Sequence, residues 1–160
     1  MELQTKAEAG RTRERATSTS EEDPTYQQRS KYTSRWHQAK AHTGGPWDFK
    51  RALETYQTFG FAFDRDRFSE DEPLVWEAVP WPVANLPPVS VKTIDWGAVE
   101  EFFTRARQTM ARRSFRQVVE KSLFRFHIDR WRARGMLKTV ADEKERKWLE
   151  NGMIYMGISL

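Results

Sequence analysis

The apolar spacing between residues 114 and 126 constrains the fold more than any other feature of this sequence. Its members fall on one face of a helix with about 3.6 residues per turn: Phe115, Val118, Val119, Ser122, Leu123 and Phe126. Ser114, followed three residues later by Gln117, has the form of a capping box, so Ser114 is the predicted N-cap. Phe124 falls on the opposite face and predicts a second packing layer, with an exposed partner contact as the alternative.

The rest of that opposite face is mainly cationic. It carries Arg113, Arg116, Glu120, Lys121 and Arg125, and we expect it to point away from the surface that the apolar stripe covers. Residues 112–160 hold twelve Lys and Arg against six Asp and Glu, whereas residues 69–101 hold seven acids and one Lys. The two segments can therefore pair within one fold, which competes with a nucleic-acid partner for the basic face.

A second helix is predicted from about residue 140, after a polar loop. Thr139 with Asp142 supplies a candidate cap. The apolar face of this helix continues through Trp148, Leu149, Met153 and Met156. Gly152 and Gly157 weaken it by about 1 kcal/mol each relative to alanine. The two helices are expected to form an antiparallel hairpin with the loop at its tip.

The loop contains the string RFHIDRW at residues 125–131. A basic helix, a His-x-Asp tip and a returning helix together resemble the J-domain, with which DnaJ-type co-chaperones stimulate DnaK-type chaperone ATPases. The chain is more closely similar to the divergent J-like segment of NF-kappa-B-inhibitor-like proteins and of many fungal proteins. In those proteins a Trp-Pro-Val stretch, here residues 81–83, precedes the hairpin. The resemblance covers about residues 47–160.

The resemblance implies a partner-binding tip rather than an enzyme, with a DnaK-type chaperone or another protein as the partner. His127 and Asp129 correspond to the family's chaperone contacts, while the steering charge is expected from Arg116, Lys121 and Arg125. A local contact between His127 and Asp129 is the structural alternative. Ile128 replaces the proline of active J-domains and does not restrict the backbone, which puts chaperone stimulation in question.

Composition and motif content exclude several classes of function. The chain has no cysteine, so it has neither a thiolate nucleophile nor a cysteine-based metal site. It also lacks a glycine-rich phosphate loop and a GxSxG motif. We therefore predict no catalytic residue, no metal site and no cofactor. No apolar run reaches the roughly 18 residues of a membrane span, and the first residues lack a secretory signal, so we expect an intracellular protein of the nucleus or cytoplasm without a membrane partner.

The first 94 residues are predicted to contain a tail and a strap. Residues 1–45 are polar and are predicted to be disordered. Residues 46–94 are predicted to hold a short helix that closes near Gly60, followed by an extended proline-rich strap. Phe59, Phe61 and Phe63 alternate, as in a brief extended segment or in aromatic anchors across a helix pair. We expect the tryptophans of the strap to lie over a helical core, with a proline-rich ligand for a partner domain as the alternative.

Residues 95–160 form the predicted J-domain-like helical region. Asp95 is the predicted cap of a helix through residues 96–111. Its apolar face is Val99, Phe102, Phe103, Ala106 and Met110. The sequence thus predicts a mostly α protein with a J-like antiparallel helical hairpin, a proline-rich strap and a disordered N-terminal tail. The expected function is a non-enzymatic protein-interaction module. A basic nucleic-acid-associated protein and a relative without retained activity are the alternatives.

Overall fold

A computed structural model describes residues 23–41, 45–85 and 94–159, without the side chains of residues 157–159. In these ranges the chain is mostly helical, as predicted, and contains no strand. The helices are α1 (Pro24–Ala41), α2 (Phe49–Arg65), α3 (Trp96–Thr109), α4 (Arg112–Arg125), α5 (Ile128–Ala133) and α6 (Glu143–Ser159), with short 3-10 helices at Trp76–Ala78 and Met136–Thr139. None of the described helices combines the length and the apolar character that a membrane crossing requires.

The first helix, α1, occupies part of the predicted tail, so the prediction of disorder is wrong for Pro24–Ala41. Tyr32 and Trp36 lie on its inner face and are 5% and 2% exposed. The Trp36 indole donates a hydrogen bond to the Glu77 carbonyl at 2.8 Å, and its ring packs edge-on against Phe59. These contacts with distant segments order a stretch whose own apolar content is low. Residues 1–22 of the predicted tail lie outside the described residues.

Substituting Trp36 with phenylalanine tests whether α1 is docked. Trp36→Phe leaves the Glu77 carbonyl without its donor, so the free energy of unfolding should fall by about 1–2 kcal/mol. Trp148→Phe on α6 is the matched control because Trp148 is 39% exposed, and we expect a change within about 0.5 kcal/mol. Urea unfolding followed by circular dichroism measures both variants. Equal stability of the two variants would show that α1 does not pack on the core.

Glu145 joins three segments that are far apart in sequence. This carboxylate belongs to α6 and is 4% exposed. One of its oxygens accepts the backbone N–H of Trp76 at 3.1 Å, and the other accepts the Arg29 guanidinium at 3.0 Å. Arg29 also binds Glu77 at 2.8 Å. Burial alone would lower the pKa of Arg29, but Glu77 and Glu145 raise it on balance, so the arginine stays charged between them.

The second helix, α2, is longer than predicted. It begins after Asp48, whose carboxylate accepts the N–H of Arg51 at 2.9 Å, and it continues to Arg65. Gly60 therefore lies inside the helix rather than at its end. A glycine is needed there because a Cβ would overlap the Arg125 guanidinium. The three phenylalanines expected in an extended segment or as anchors across a helix pair are helical. Of these, Phe63 is buried and Phe61 is 61% exposed.

The segment 73–83 follows α2 in the chain, and its 3-10 helix packs against α1. Its side chains are nearly all buried, and Trp81 is fully so. The Trp81 ring stacks on Phe126 with centroids 5.8 Å apart and packs against Trp76 at 4.5 Å. The expected position of these tryptophans over a helical core is confirmed. Pro87 and Pro88 of the predicted strap lie outside the described residues.

Helix α3 agrees with its prediction, but α4 differs at its start. Asp95 caps α3 by accepting the N–H of Ala98 at 2.8 Å. Four of the five expected apolar residues, Val99, Phe102, Phe103 and Ala106, are buried, whereas the fifth, Met110, is half-buried and lies just after the helix ends. Helix α4 follows from Arg112 because Ala111 already has the extended backbone of an N-cap, so the capping box at Ser114 is wrong. Phe124 is 63% exposed, which also excludes the second packing layer.

The polar loop predicted after α4 is folded into α5 and the 3-10 helix Met136–Thr139. Thr139 does not cap α6, since its hydroxyl accepts the N–H of Leu74 at 3.0 Å. Asp142 accepts the N–H of Lys144 at 2.8 Å instead. The apolar face of α6 is confirmed at Leu149, Met153 and Met156, which are buried. Among the α-helices, α6 packs chiefly against α3, so the predicted antiparallel hairpin of α4 and α6 is not confirmed.

Candidate partner-binding tip

Residues 125–131, here called the tip, join the end of α4 to α5 and include three buried residues. Arg125, Phe126 and Trp131 are 3%, 2% and 0% exposed. The Trp131 indole donates a hydrogen bond to the Arg125 carbonyl at 2.8 Å, and the rings of Phe126 and Trp131 lie 6.5 Å apart. Three of the seven residues of the RFHIDRW string therefore hold the tip against the core.

Arg125 is not on the exposed cationic face, where the sequence placed it. Its guanidinium donates two hydrogen bonds to the carboxylate of Asp64 on α2, each 3.0 Å long. Burial alone would lower the pKa of Arg125, but Tyr56 and Asp64 raise it on balance, so the side chain stays charged. Arg125 therefore cannot steer a partner. It connects the tip to α2.

A buried hydroxyl pair lies beside this ion pair. The Tyr56 hydroxyl is 2.6 Å from Ser122 Oγ. Ser122 donates its own proton to the Val118 carbonyl at 2.7 Å, so Tyr56 is the donor to Ser122. Burial raises the pKa of Tyr56, which keeps this donor protonated. The contact explains why a serine occupies the otherwise apolar stripe of α4.

His127 and Asp129 are the accessible members of the tip, with side chains 60% and 75% exposed. His127 caps α5, because its Nδ1 accepts the N–H of Asp129 at 3.2 Å. The same nitrogen lies 3.9 Å from a carboxylate oxygen of Asp129, and Arg132 lies 3.8 Å from the other. The local contact between His127 and Asp129 is therefore present, and it leaves both side chains at the surface.

Phe124, just before the tip, is exposed and contacts the half-buried Arg130 within it. The Arg130 guanidinium lies 3.8 Å from the centroid of the Phe124 ring, close enough for a cation–π contact. Sequence reasoning identified Phe124 as a possible contact but missed Arg130. The spacing of six residues across a helix end gave no signal that the two would meet.

The predicted steering residues Arg116 and Lys121 do not share a face. Five residues along a helix correspond to about 140° of rotation, so they point in different directions. Arg116 borders a groove between α3 and α4, whereas Lys121 borders one between α2 and α4. Arg116 is also paired with Glu120 at 2.9 Å. The structure thus separates two residues that the sequence analysis had grouped.

The acidic segment 69–101 does not neutralise the basic face of α4 in the described part of the chain. Its carboxylates pair with α1, through Glu77 to Arg29 at 2.8 Å and Glu72 to Lys31 at 3.9 Å. Within α3, Glu101 lies 3.8 Å from Arg105. In the described residues, the acids of segment 69–101 therefore form no ion pair with the basic segment 112–160, although the sequence allowed such pairing.

The exposed groups of the tip can contact a partner. The tip presents the imidazole of His127 and the carboxylate of Asp129, and the exposed Phe124 ring comes just before it in the chain; each of these groups can make a directional contact with a partner. Comparisons of the chain with protein-family models, with curated proteins and with solved structures found no match.

Proposed function

We propose that this chain is a non-enzymatic protein-interaction module that binds its partner through the tip. The observation that carries the proposal is that some residues of 125–131 are buried in the core while others are exposed. Buried Arg125, Phe126 and Trp131 support exposed His127 and Asp129. A surface held in this way loses little conformational entropy on binding, which favours affinity.

The finer form of the proposal is a degenerate J-domain with a DnaK-type chaperone as the partner. In this reading α4 is the basic helix, α6 is the returning helix, and segment 73–83 belongs to the proline-rich strap. The exposed His127 and Asp129 then make the specific contacts. Arg116 and Lys121, on separate sides of α4, contribute charge individually.

The geometry at Ile128 supports this reading although the family's proline is absent. Ile128 is the first residue of α5, a position where proline is well tolerated because its N–H has no partner within the helix. His127 before it has φ −70° and ψ 127°, the extended conformation that a following proline favours. The chain therefore adopts with isoleucine the backbone that proline would impose.

Steady-state ATP hydrolysis by a DnaK-type chaperone tests the proposal. We expect the chain to stimulate hydrolysis, Ile128→Pro to stimulate at least as strongly, and Asp129→Asn to lower stimulation at least about tenfold, since a direct contact to a charged group is worth roughly 1.5–3 kcal/mol. Lys144→Gln is the control, because Lys144 is an exposed residue of α6, and this variant should stimulate as strongly as the parent chain. Thermal unfolding of each variant separates lost contacts from lost structure.

The pattern of results decides between the two levels of the proposal. Stimulation by Ile128→Pro alone would mean a J-domain scaffold that lacks its trigger. Failure of every folded variant to stimulate ATP hydrolysis would overturn the chaperone assignment.

Exposed Phe124 beside Arg130 also suits stacking on an unpaired base, so a single-stranded oligonucleotide is titrated in parallel. Salt-dependent binding that Phe124→Ala abolishes would favour the nucleic-acid alternative.

A further inference from the structure

A second surface lies between the end of α3 and the outer side of α4, here called the α3–α4 groove. Its floor consists of Met110, Phe115 and Val119, and its volume is about 890 Å³. Each of these three side chains is half-buried, with one side packed on the core. The sequence had assigned Phe115 and Val119 to the same core-facing stripe as Val118 and Ser122. In α4 only Val118 and Ser122 of these four are fully buried, together with Arg125.

The apolar floor continues along α4. Phe115, Val119 and Leu123 are spaced four residues apart and form one row, and Leu123 is 42% exposed. Eight residues of helix correspond to about 12 Å, so the row can contact two to three turns of a bound helix. No described helix covers the Leu123 end of this row.

The rim of the α3–α4 groove is positively charged. Arg107, Arg112 and Arg116 border it, and all three are exposed. Glu120 is the one acid among the lining residues, and Arg116 already binds it at 2.9 Å. Within the described residues, Arg107 and Arg112 form no ion pair with a carboxylate. The groove therefore joins an apolar floor to an uncompensated cationic rim.

We propose that the α3–α4 groove binds an amphipathic helix of a partner protein, with large apolar residues on one face and Asp or Glu at its flanks. Such a helix would cover the Phe115 row, and its carboxylates would lie near the free arginines. Nucleic acid would leave the Met110, Phe115 and Val119 floor without an apolar partner. The chain's own segment 86–93 carries Lys92 and no acid, so it cannot supply the charge.

Selection of random helical peptides displayed on phage against the full chain tests this proposal. We expect the enriched peptides to combine Leu, Phe or Met at helical spacing with flanking Asp or Glu. One enriched peptide, labelled with a fluorophore, then serves as the probe for anisotropy titrations. Arg107→Glu combined with Arg112→Glu should weaken its binding at least about tenfold, since like charges across an interface are costly.

A double variant with the same change in net charge provides the control. Arg67→Glu combined with Lys144→Glu changes two exposed residues that do not line the groove, and it should change affinity less than about twofold. His127→Ala combined with Asp129→Ala should leave peptide affinity unchanged. That variant separates the groove from the tip, so either proposal can fail without the other.

Several results would overturn the groove proposal. These are no enrichment, enriched peptides without acids, or equal loss of affinity in the two charge-reversed variants. Displacement of the peptide by a single-stranded oligonucleotide, with the same dependence on Arg107 and Arg112, would instead assign the groove to nucleic acid. Self-association in sedimentation velocity that the groove variant abolishes would assign it to a second copy of this chain.

Discussion

Replacing Arg125 with methionine is expected to lower the free energy of unfolding by about 3 kcal/mol, because it leaves the partner carboxylate without its cation. Arg125 is 3% exposed and makes two 3.0 Å hydrogen bonds to Asp64, whose side chain is 24% exposed. Methionine retains much of the side-chain length, so the loss reports the missing charge pair more than a cavity. Chemical denaturation monitored by tryptophan fluorescence measures the change.

A matched substitution on the same helix provides the control. Lys121→Met removes a cation from an exposed position one turn earlier and should change stability by no more than about 0.5 kcal/mol. Asp64→Leu alone should also be destabilising, while the double variant Asp64→Leu with Arg125→Met should lose less than the sum of the two. Similar effects of Arg125→Met and Lys121→Met would show that Arg125 lies on the surface, as the sequence suggested.

The second large effect is expected at Gly152. An alanine Cβ there would lie 2.5 Å from the ring of Trp81, which is fully buried and stacked on Phe126. A glycine-to-alanine change inside a helix ordinarily gains about 1 kcal/mol, but forced overpacking of a rigid ring costs more. We therefore expect Gly152→Ala to lower the free energy of unfolding by about 2 kcal/mol, with a change in near-ultraviolet circular dichroism.

The same substitution at Gly97 should have the opposite sign. Gly97 lies in the first turn of α3, is exposed, and its added Cβ would meet only the Asp95 carboxylate at 3.4 Å. Gly97→Ala should be neutral or stabilising by up to about 1 kcal/mol. If Gly152→Ala raised the melting temperature as Gly97→Ala does, α6 would not pack on Trp81 as described.

Local signals in the sequence predicted the elements whose stability is decided locally. Helix α3 followed from the Asp95 cap and the spacing of Phe102 and Phe103, and the apolar face of α6 followed from Leu149 and Met153. Gly60 and Gly152 were interpreted as a terminator and a weak point. Each is instead required by a side chain from a distant segment, and spacing along the chain carries no information about such a contact.

The tip and the groove were likewise predictable only where the signal is local in sequence. The exposure of His127 and Asp129 agrees with what the tip string suggested, because short polar residues after a helix end commonly face solvent. Arg125 could not be recognised as buried, since its carboxylate partner lies 61 residues earlier. The α3–α4 groove was missed because the apolar stripe of α4 was assumed to be buried across its full width. In the structure the core buries Val118 and Ser122 but leaves Leu123 exposed.

The position of Glu145 has a consequence for the order in which the chain is synthesised. Arg29 leaves the ribosome 116 residues before this partner does. At ordinary translation rates the interval is on the order of ten seconds. Until α6 emerges, Arg29 has Glu77 as a partner but lacks its second carboxylate contact, Glu145. During synthesis, α1 is therefore held only by its contacts with segments that precede α6 until α6 is made, and the Arg29–Glu145 ion pair is among the last contacts that the chain can form.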